Sequence, residues 1–408
     1  MVIEGVRMAA PTRRFGPAIM LSQLGVNMAV LTQLQLLLAL RLNTIAGSGA
    51  TSAFGVVTGF GALCATVSGP IVGRISDRTR TRLGRRRTWM LTGSVALALA
   101  MAAMTVTTAV WQVVLLWCLA QAAANFQYAA NNAIVADQIP PQRRGGVSGL
   151  VGLATAIGPI AGVVLANAFP AGGSGQWLIV AVTSLVATLA AVLLFRDPRD
   201  TSPKPPLDLR TVLTTFWFNP RRHPALGWAW LVRFLIMCAY SATSYNAFFL
   251  MQRLGFGAAE VGPVLLKAGL VSVGSIAVAS VVAGYLSDAV KRQRPFVIFA
   301  GVLGALSLVL MAGAGSVATL FAAVSLGGIG TGTFLAVDLA LCVRVLPDTE
   351  NAGRNLAIIT IAGTLPQSLV PFVAPVLLSA GGFPALYLTL GVLALLGAVA
   401  ILRVPEMR

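Results

Sequence analysis

The sequence consists mainly of long apolar runs separated by short polar breaks, and this pattern limits the folds open to it. Hydrophobic residues make up 57% of the 408 residues and charged residues 10%, whereas a soluble domain has about 25% charged residues. Runs of about 20 apolar residues can cross a bilayer as helices, and these runs lack the short alternating pattern of barrel strands. We therefore predict an all-α membrane protein with roughly twelve transmembrane helices. Their approximate extents are 15–42, 52–75, 88–108, 110–139, 147–169, 176–195, 225–252, 258–286, 295–313, 316–346, 355–380 and 382–402.

The basic residues lie almost entirely on one side of the predicted spans. Lys and Arg number 29 against 12 Asp and Glu, which gives a net charge of +17. Counted from a cytoplasmic amino terminus they fall on cytoplasmic loops, and the opposite loops add little beyond Arg41 and Arg253. This asymmetry follows the positive-inside rule and predicts a multi-pass protein of the plasma (inner) membrane with both termini in the cytoplasm. The asymmetry accounts for the net positive charge, so no nucleic-acid partner is needed to explain it. We expect the basic loops to contact anionic lipid headgroups.

Residues for metal binding or covalent catalysis are scarce. The chain has one histidine, His223, and four cysteines, Cys64, Cys118, Cys238 and Cys342, which lie in apolar runs without CxxC spacing. No GxxxxGK[ST] phosphate loop occurs. We therefore expect no enzymatic activity, no metal and no cofactor. The first apolar run is too long for a cleavable signal peptide and lacks a small-residue cleavage site, so it is predicted to be the first span.

The chain has two similar halves. The polar break 196–224 is rich in Pro and charge and lies near the middle, as expected of a linker. The pattern Gly-x-x-Ser-Asp at 73–77, where the second run ends, recurs at 284–288, where the eighth run ends. We predict an N-terminal six-helix bundle (1–195), a cytoplasmic linker (196–224) and a C-terminal six-helix bundle (225–408). Transporters with parallel six-helix repeats hold their solute near mid-membrane between the halves.

The segment between the second and third runs, GRISDRTRTRLGRRRTWM (73–90), holds seven arginines and one acid. It resembles the loop 2–3 signature of the major facilitator superfamily. The RxGRR end, 82–86, is similar to the version in sucrose-type carriers and in the glycoside–pentoside–hexuronide carriers. The resemblance extends over the whole chain through the spans, the central loop and the repeated loop motif. It implies the twelve-helix fold of that superfamily and secondary transport by rocking of the two halves, in a protein that we expect to be a monomer.

The resemblance also implies a conformational latch in this loop. Gly73 lets the second helix approach a neighbour closely, because it has no side chain to separate the backbones. Asp77 is expected to accept hydrogen bonds at the positive N-terminus of the eleventh helix, with Arg78 beside it. The remaining motif residues of the predicted latch are Arg82, Gly84 and Arg85.

Charged residues inside the spans are the candidates for coupling transport to an ion, since charges are costly there. Asp338 lies nine residues before Pro347, about 13 Å into the tenth span at 1.5 Å per residue. Lys267 and Arg233 are the deep cations of the same half, and in this superfamily the seventh, eighth and tenth helices border the cavity. A buried carboxylate whose cation moves away takes up a proton, which would make the proton the coupling ion. The alternative is a static ion pair that fixes packing.

Neutral polar residues form candidate solute-binding faces. Gln121, Asn125, Tyr128 and Asn132 follow one another at spacings of 4, 3 and 4 on the fourth span, which keeps them on one narrow face. Such amides and hydroxyls suit a sugar-like or amide-bearing solute, and the alternative is hydrogen bonding between helices. Further candidates on the first and seventh spans are Gln23, Asn27, Tyr240 and Ser244.

Other features leave alternatives open. The second span, 51–73, has no acid, although sodium-coupled members of the glycoside group keep acidic residues there. Gly145, Gly158-Pro159 and Gly162 partly match the helix 5 pattern of drug/proton antiporters, which would favour an exporter. A receptor that does not transport, or a lipid-moving protein on the same scaffold, is a further alternative.

Substitution of Asp77 by Asn is expected to weaken the predicted latch, because a neutral amide binds a positive helix end less strongly. Inward-open states should then gain population, and transport should fall while membrane insertion is unchanged. Uptake into proteoliposomes and labelling of cysteines placed on the cytoplasmic side measure the two effects. Unchanged uptake together with unchanged labelling would contradict the latch.

Overall fold

The computed structural model describes residues 14–79, 81, 83–139, 144–195, 197, 223–344 and 352–404. Within its helices some side chains are not described, among them Gly73, Asp77 and Arg78 of the predicted latch, and Arg82 lies outside the described residues altogether. Across these ranges all regular secondary structure is helical.

In the described residues of the first half of the chain there are seven helices. They are α1 Phe15–Thr32, α2 Leu38–Ala46, α3 Ala50–Arg78, α4 Arg85–Met104, α5 Val110–Gln138, α6 Arg144–Ala166 and α7 Ser174–Leu194. A π-helical segment, Gln33–Leu37, joins α1 to α2. The chain then turns at Gly47, whose φ of 51° lies in the left-handed region that favours glycine, and a 3₁₀ turn leads into α3.

The described second half contains five longer helices. They are α8 Pro224–Tyr240, α9 Ala258–Val290, α10 Arg294–Gly313, α11 Val317–Arg344 and α12 Ala352–Ala400. After α8 the chain continues through a 3₁₀ segment, Ser241–Tyr245, and ends in a π-helical segment, Phe249–Arg253. Helix α12 is broken at Gly381–Gly382, where the backbone is not helical.

The helices are long and apolar enough to cross a membrane. Ten such stretches occur in the described chain, and two of them, Phe15–Gly69 (55 residues) and Ile361–Arg403 (43 residues), are long enough for two crossings each. The break at Gly47–Gly49 divides the first of these, and the break at Gly381–Gly382 divides the second. The ten stretches therefore accommodate the twelve predicted spans, and the predicted all-α membrane fold is confirmed.

Packing divides the chain into two units. The first consists of Met1–Ala53 and Phe60–Leu207, and the second of Phe54–Gly59 and Asp208–Arg408. The boundary near Leu207 falls inside the predicted linker, of which the structure describes 197, 223 and 224. The predicted domain limits themselves remain predictions.

Each unit has a buried apolar cluster at the end that is predicted to be cytoplasmic. In the first unit it joins α1, α4, α5, the end of α7 and the residue that follows α7, and in the second it joins α8, α10, α11 and α12. Its members include Phe15, Ile19, Met90, Ile134 and Phe195 in the first unit and Ile236, Val297, Phe334, Leu341 and Ile401 in the second. Because lipid tails are as apolar as these side chains, close packing rather than exclusion from water holds such clusters together.

Glycines bring helix pairs of the first unit into close contact. A Cβ atom at Gly93 of α4 would lie 2.7 Å from the carbonyl oxygen of Ala123 in α5. On α6, a Cβ at Gly158 would lie 3.0 Å from the Cβ of Asn27, and one at Gly162 would overlap the hydroxyl of Thr32. Gly158 and Gly162 therefore have a packing role against α1.

Substitution of Gly93 by Ala should destabilise the protein by about 1–3 kcal/mol, because the added methyl group overlaps the α5 backbone. The matched control is Gly149→Ala on α6, where nothing lies within 4 Å of the added carbon. Alanine is the better helix former, so the control should lose no stability. Thermal unfolding of the two purified variants in detergent makes the comparison, and equal unfolding temperatures would contradict the close α4–α5 contact.

Candidate functional site

Helices α1, α5, α6 and α7 share a buried network of hydrogen-bonded side chains. Asn131 on α5 accepts a hydrogen bond from Ser22 Oγ at 2.7 Å and donates one from Nδ2 to Gln23 Oε1 at 2.6 Å. One turn back on the same helix, Gln127 Nε2 donates to Thr188 Oγ1 on α7 at 2.8 Å. Gln127 is completely buried and Asn131 is 1% exposed. Polar groups at such depth are stable only when they are hydrogen-bonded, so this part of the network fixes the packing of the bundle.

Asn27 on α1 connects this network to α6. Its Oδ1 accepts from the Tyr128 hydroxyl at 3.0 Å, and its Nδ2 donates to the Gln23 carbonyl oxygen at 2.8 Å and to Thr155 Oγ1 at 3.2 Å. The three predicted residues Gln23, Asn27 and Tyr128 are thus brought together. Thr155, one of their partners, is only partly covered.

The predicted polar face of α5 contacts two neighbouring helices, α3 and α1, and one of its residues is exposed. Asn125 Nδ2 donates to the Ala65 carbonyl oxygen at 3.0 Å and to Ser68 Oγ at 2.9 Å, both on α3. Tyr128, about 60° away around the helix axis, bonds to α1 instead. Asn132 points between these two directions and is exposed.

The remaining member of that face, Gln121, is half-buried. It lies beside Gly61 of α3, where a Cβ atom would come within 3.4 Å of its Cγ. The face therefore combines hydrogen bonds between helices, at Asn125 and Tyr128, with an accessible amide at Asn132.

Several network residues were not among the sequence-predicted site residues. The second polar pair of α5, Gln127 and Asn131, has the spacing of 4 that marks a common helix face. That spacing could identify Gln127 and Asn131 as a polar pair. The neighbouring face at 121, 125, 128 and 132 has four polar residues and therefore gives the stronger pattern. The partners on other helices, Ser22, Thr155 and Thr188, have no distinguishing pattern in the sequence.

In the second unit, an ion pair joins α8 to α11. Arg233 Nη1 lies 2.5 Å from Asp338 Oδ2, and the Asp338 side chain is 5% exposed. Helix α12 passes close to the pair, since a Cβ atom at Gly363 would lie 3.1 Å from Arg233 Nε. Of the three predicted coupling residues, the structure thus brings two together. Lys267 of α9 has an exposed side chain instead.

A small cavity lies two helical turns away from this ion pair. It measures about 70 Å³, and its walls include Tyr240, seven residues after Arg233, and Thr331, seven residues before Asp338. Tyr387 of α12 also lines it, and Thr243 at its edge is exposed. Most of its lining is apolar, and hydroxyl groups are contributed by residues that include Tyr240, Thr331 and Tyr387. Ser244, the other predicted residue of this region, is 7% exposed.

Two of the predicted latch residues, Gly84 and Arg85, belong to a charged cluster of the first unit. The Asp197 carboxylate caps α4 from a distant part of the chain, accepting hydrogen bonds from the backbone N–H groups of Arg86 at 2.5 Å and Arg87 at 2.9 Å. Gly84 makes room for that carboxylate, because a Cβ atom there would lie 2.5 Å from Asp197 Oδ2. Its φ of 99° favours glycine as well.

The same cluster holds the end of α5. Arg85 Nη2 and Arg86 Nε each lie 2.9 Å from Asp137 Oδ2, and Arg86 Nη1 donates to Ser76 Oγ of α3 at 3.0 Å. These contacts lie within the first unit, so they tie α3, α4 and α5 to one another. The contact predicted between Asp77 and the eleventh predicted span (355–380) involves a side chain outside the described residues. It stays a prediction.

Nowhere in the described ranges do three or more His, Cys, Asp or Glu side chains come together as a metal site would require. In the part of the chain that the structure describes, the candidate site consists of amides, hydroxyls and the Arg233–Asp338 ion pair.

Comparison with known proteins places these features in a family. The model of the Major Facilitator Superfamily matches residues 15–276 and 268–408, which together cover nearly the whole chain. The anhydromuropeptide permease of Escherichia coli (strain K12) is 29% identical over 290 residues, which cover 66% of this chain and 57% of that protein. The chain thus spans a little over half the length of this curated relative.

Solved structures of transporters share the fold at low sequence identity. A POT family transporter in complex with a thioalcohol-conjugated peptide has a TM-score of 0.73 at 14% identity, over 94% of each chain. A D-xylose-proton symporter has a TM-score of 0.69 at 16% identity, over 96% of this chain and 98% of its own. A bacterial homologue of the human lysosomal transporter Spinster, inward-facing and unoccupied, has a TM-score of 0.68 at 14% identity, over 97% and 95%. At these identities the likeness shows the fold alone.

The adjacent residues Asn131 and Asn132 should respond differently to substitution by Ala. Asn131→Ala leaves buried partners on α1 without hydrogen bonds and should cost about 1–3 kcal/mol of stability. Asn132→Ala removes an exposed amide and should leave stability unchanged. Thermal unfolding measures both variants, and a loss of stability at Asn132 equal to that at Asn131 would contradict the described orientation of α5.

Proposed function

The chain belongs to the major facilitator superfamily, and we propose that it is a secondary active transporter that moves a small polar organic solute across the plasma (inner) membrane by alternating access. Both termini would lie in the cytoplasm, since the basic loops then follow the positive-inside rule. The proposed carrier is a monomer and takes up its solute together with a proton. The single observation that carries the proposed coupling is the buried Arg233–Asp338 ion pair.

The solute is proposed to be neutral or weakly charged and rich in hydroxyl or amide groups. The side chains available for it in the first unit are amides and hydroxyls, with Asn132 exposed between α1 and α3 and Gln121 half-buried on the same face. Groups of this kind recognise sugars and amides through paired hydrogen bonds. Sugar-like solutes are also favoured by the RxGRR motif at 82–86, which is similar to that of sucrose-type carriers.

The named relatives support the same class of solute. The curated relative is an anhydromuropeptide permease, and one structural neighbour is a D-xylose-proton symporter. We propose that this chain accepts a sugar or a sugar-containing conjugate. A thermal-shift screen of the purified protein against D-xylose, sucrose, amino sugars and short peptides would identify the class, because a ligand that binds the native state raises its apparent stability.

The proposed coupling uses the cost of a buried charge. With Arg233 at 2.5 Å, the Asp338 carboxylate is stable as an anion although it is almost completely buried. If α8 and α11 separate during transport, the carboxylate loses its counter-charge in an apolar environment and takes up a proton instead. Return of the arginine then releases that proton on the other side of the membrane. The static ion pair makes the opposite prediction, namely that neither charge matters for accumulation.

The export alternative rests mainly on the glycine pattern of the fifth span. Since Gly158 and Gly162 are required for packing α6 against α1, this pattern gives no independent support for export. A receptor without transport, or a protein that moves lipid, would show no solute accumulation under a pH gradient.

In the isosteric variant Asp338→Asn, the side chain cannot release a proton, so accumulation driven by a pH gradient should disappear. Exchange of solute across the membrane should survive. For one proton per solute, a gradient of one pH unit supports about tenfold accumulation in the wild type. Uptake and counterflow of the solute found in the screen, measured in proteoliposomes, give the two quantities. A variant that still accumulates solute would show that Asp338 is structural.

The control for folding is the double variant Arg233→Gln, Asp338→Asn. The single Asp338 variant leaves a partly buried arginine without its carboxylate, which costs about 3–5 kcal/mol when a buried pair is broken. The double variant carries neither charge and should recover the stability. If the double variant folds and exchanges solute but does not accumulate the solute, the loss of accumulation is caused by lost coupling and not by misfolding.

A further inference from the structure

A groove lies where α10 begins, on the outer surface of the second unit. Its volume is about 480 Å³, and its lining residues are Arg292, Arg294, Pro295, Ile298, Phe299 and Val302. We call it the α10 groove. Because α10 is one of the candidate membrane spans, the groove lies where a span meets the polar loop before it.

The floor of the α10 groove is apolar and continues along the helix. Phe299 is 50% exposed and Val302 is 45% exposed. Leu306 and Val309 follow on the same helix face and are 47% and 50% exposed. The groove therefore opens onto an apolar strip about two to three turns long, which is suited to an acyl chain lying against the helix.

The rim of the α10 groove is cationic. Arg292 is exposed, and Lys291 before it is also exposed and takes a left-handed φ of 56° that ends α9. The guanidinium of Arg294 is held in place, because its Nε donates to the Val404 carbonyl oxygen at 2.9 Å and its Nη2 donates to the same atom. A guanidinium has five N–H donors, so three remain beyond these two bonds.

The positive charge extends beyond the groove. Arg403, at the end of the chain segment that α10 contacts, lies 5.7 Å from the centre of the Trp228 ring. From Ala289 to Val337 the sequence contains no Asp or Glu. The nearest acids in sequence are Asp288 before the groove and Glu406, two residues after Val404, and neither side chain is described.

We propose that the α10 groove binds an anionic phospholipid of the leaflet that contacts this end of the protein. Its phosphate would be held by Arg292 and Arg294, and one acyl chain would lie along Phe299, Val302 and Leu306. Tight binding requires both the arginines and the apolar strip. A free phosphate has no acyl chain to bind the strip, and a zwitterionic lipid is attracted less strongly by the two arginines. Basic residues at the ends of spans lie at the depth of lipid headgroups, which fits this placement.

Binding there has a structural consequence for the second unit. Arg294 joins the beginning of α10 to the carbonyl group of Val404, and Val404 belongs to the buried cluster that also includes Val297. A phosphate on the free donors of Arg294 would hold the guanidinium in the orientation that makes this contact. The lipid should therefore stabilise the native state, and this inference does not depend on the proposed solute or on proton coupling.

The test uses delipidated, full-length protein in detergent with phosphatidylglycerol, phosphatidylcholine of the same acyl chains, or glycerol phosphate. Native mass spectrometry counts bound lipids, and thermal unfolding measures stabilisation. We expect one phosphatidylglycerol molecule to bind more tightly than the rest and to raise the unfolding temperature more than phosphatidylcholine does. Glycerol phosphate should do neither, and stabilisation by glycerol phosphate alone would show an anion site without a lipid.

Arg292→Gln is the informative variant, because the arginine is exposed and its removal should leave the fold intact. It should weaken the tight phosphatidylglycerol site about fivefold, as expected for one cation at a membrane surface. Arg253→Gln is the matched control, an exposed arginine at the end of the π-helical segment Phe249–Arg253, which is predicted to face the opposite side of the membrane. If Arg292→Gln and Arg253→Gln bind phosphatidylglycerol as tightly as the wild type, the proposal is overturned.

Discussion

The interior of a bilayer offers no hydrogen-bonding partners, and this constraint governs the backbone and the side chains of the protein alike. Backbone groups are satisfied within helices long enough to cross, and the described chain turns where glycines permit it, at Gly47 and at Gly381–Gly382. After helix α8 the chain remains helical through a 3₁₀ segment and a π-helical segment, so its backbone groups still find partners within the segment. The same need for internal partners explains why several buried polar side chains of the first unit are connected by hydrogen bonds.

The network in the first unit consists of buried side chains, and an exposed amide lies beside it. Ser22, Gln23, Gln127 and Asn131 hydrogen-bond to one another at almost complete burial, so these bonds are part of the packing of α1 against α5. Gln127 Oε1 has no partner among the described residues. Close by, Asn132 is exposed, and it differs from its buried neighbour by one position on the helix. A solute that hydrogen-bonds to this face would therefore meet side chains whose neighbours are already fixed. Such pre-organisation lowers the entropy lost on binding.

Charges follow a related rule that depends on depth. The Arg233–Asp338 pair is largely buried within two candidate spans and is compensated at short distance. Towards the ends of the helices, arginines bind carboxylates and backbone carbonyl groups, as Arg86 binds Asp137 and Arg294 binds Val404. Lys267 is neither paired with Asp338 in this way nor buried, which makes it a weaker candidate for coupling than Arg233. In the second unit, the buried ion pair thus lies where α8, α11 and α12 meet.

The sequence alone determined the helical class and the apolar spans, because run length and hydropathy are local sums along the chain. Helical spacing also grouped Gln121, Asn125, Tyr128 and Asn132 on one face. It did not reveal that Asn125 bonds to α3, that Tyr128 bonds to α1, or that the neighbouring face with Gln127 and Asn131 is the buried one. The carboxylate that caps α4 comes from Asp197, 111 residues from Arg86, and no local pattern marks it. These outcomes depend on how each helix is rotated against its neighbours, which only the packed tertiary structure decides.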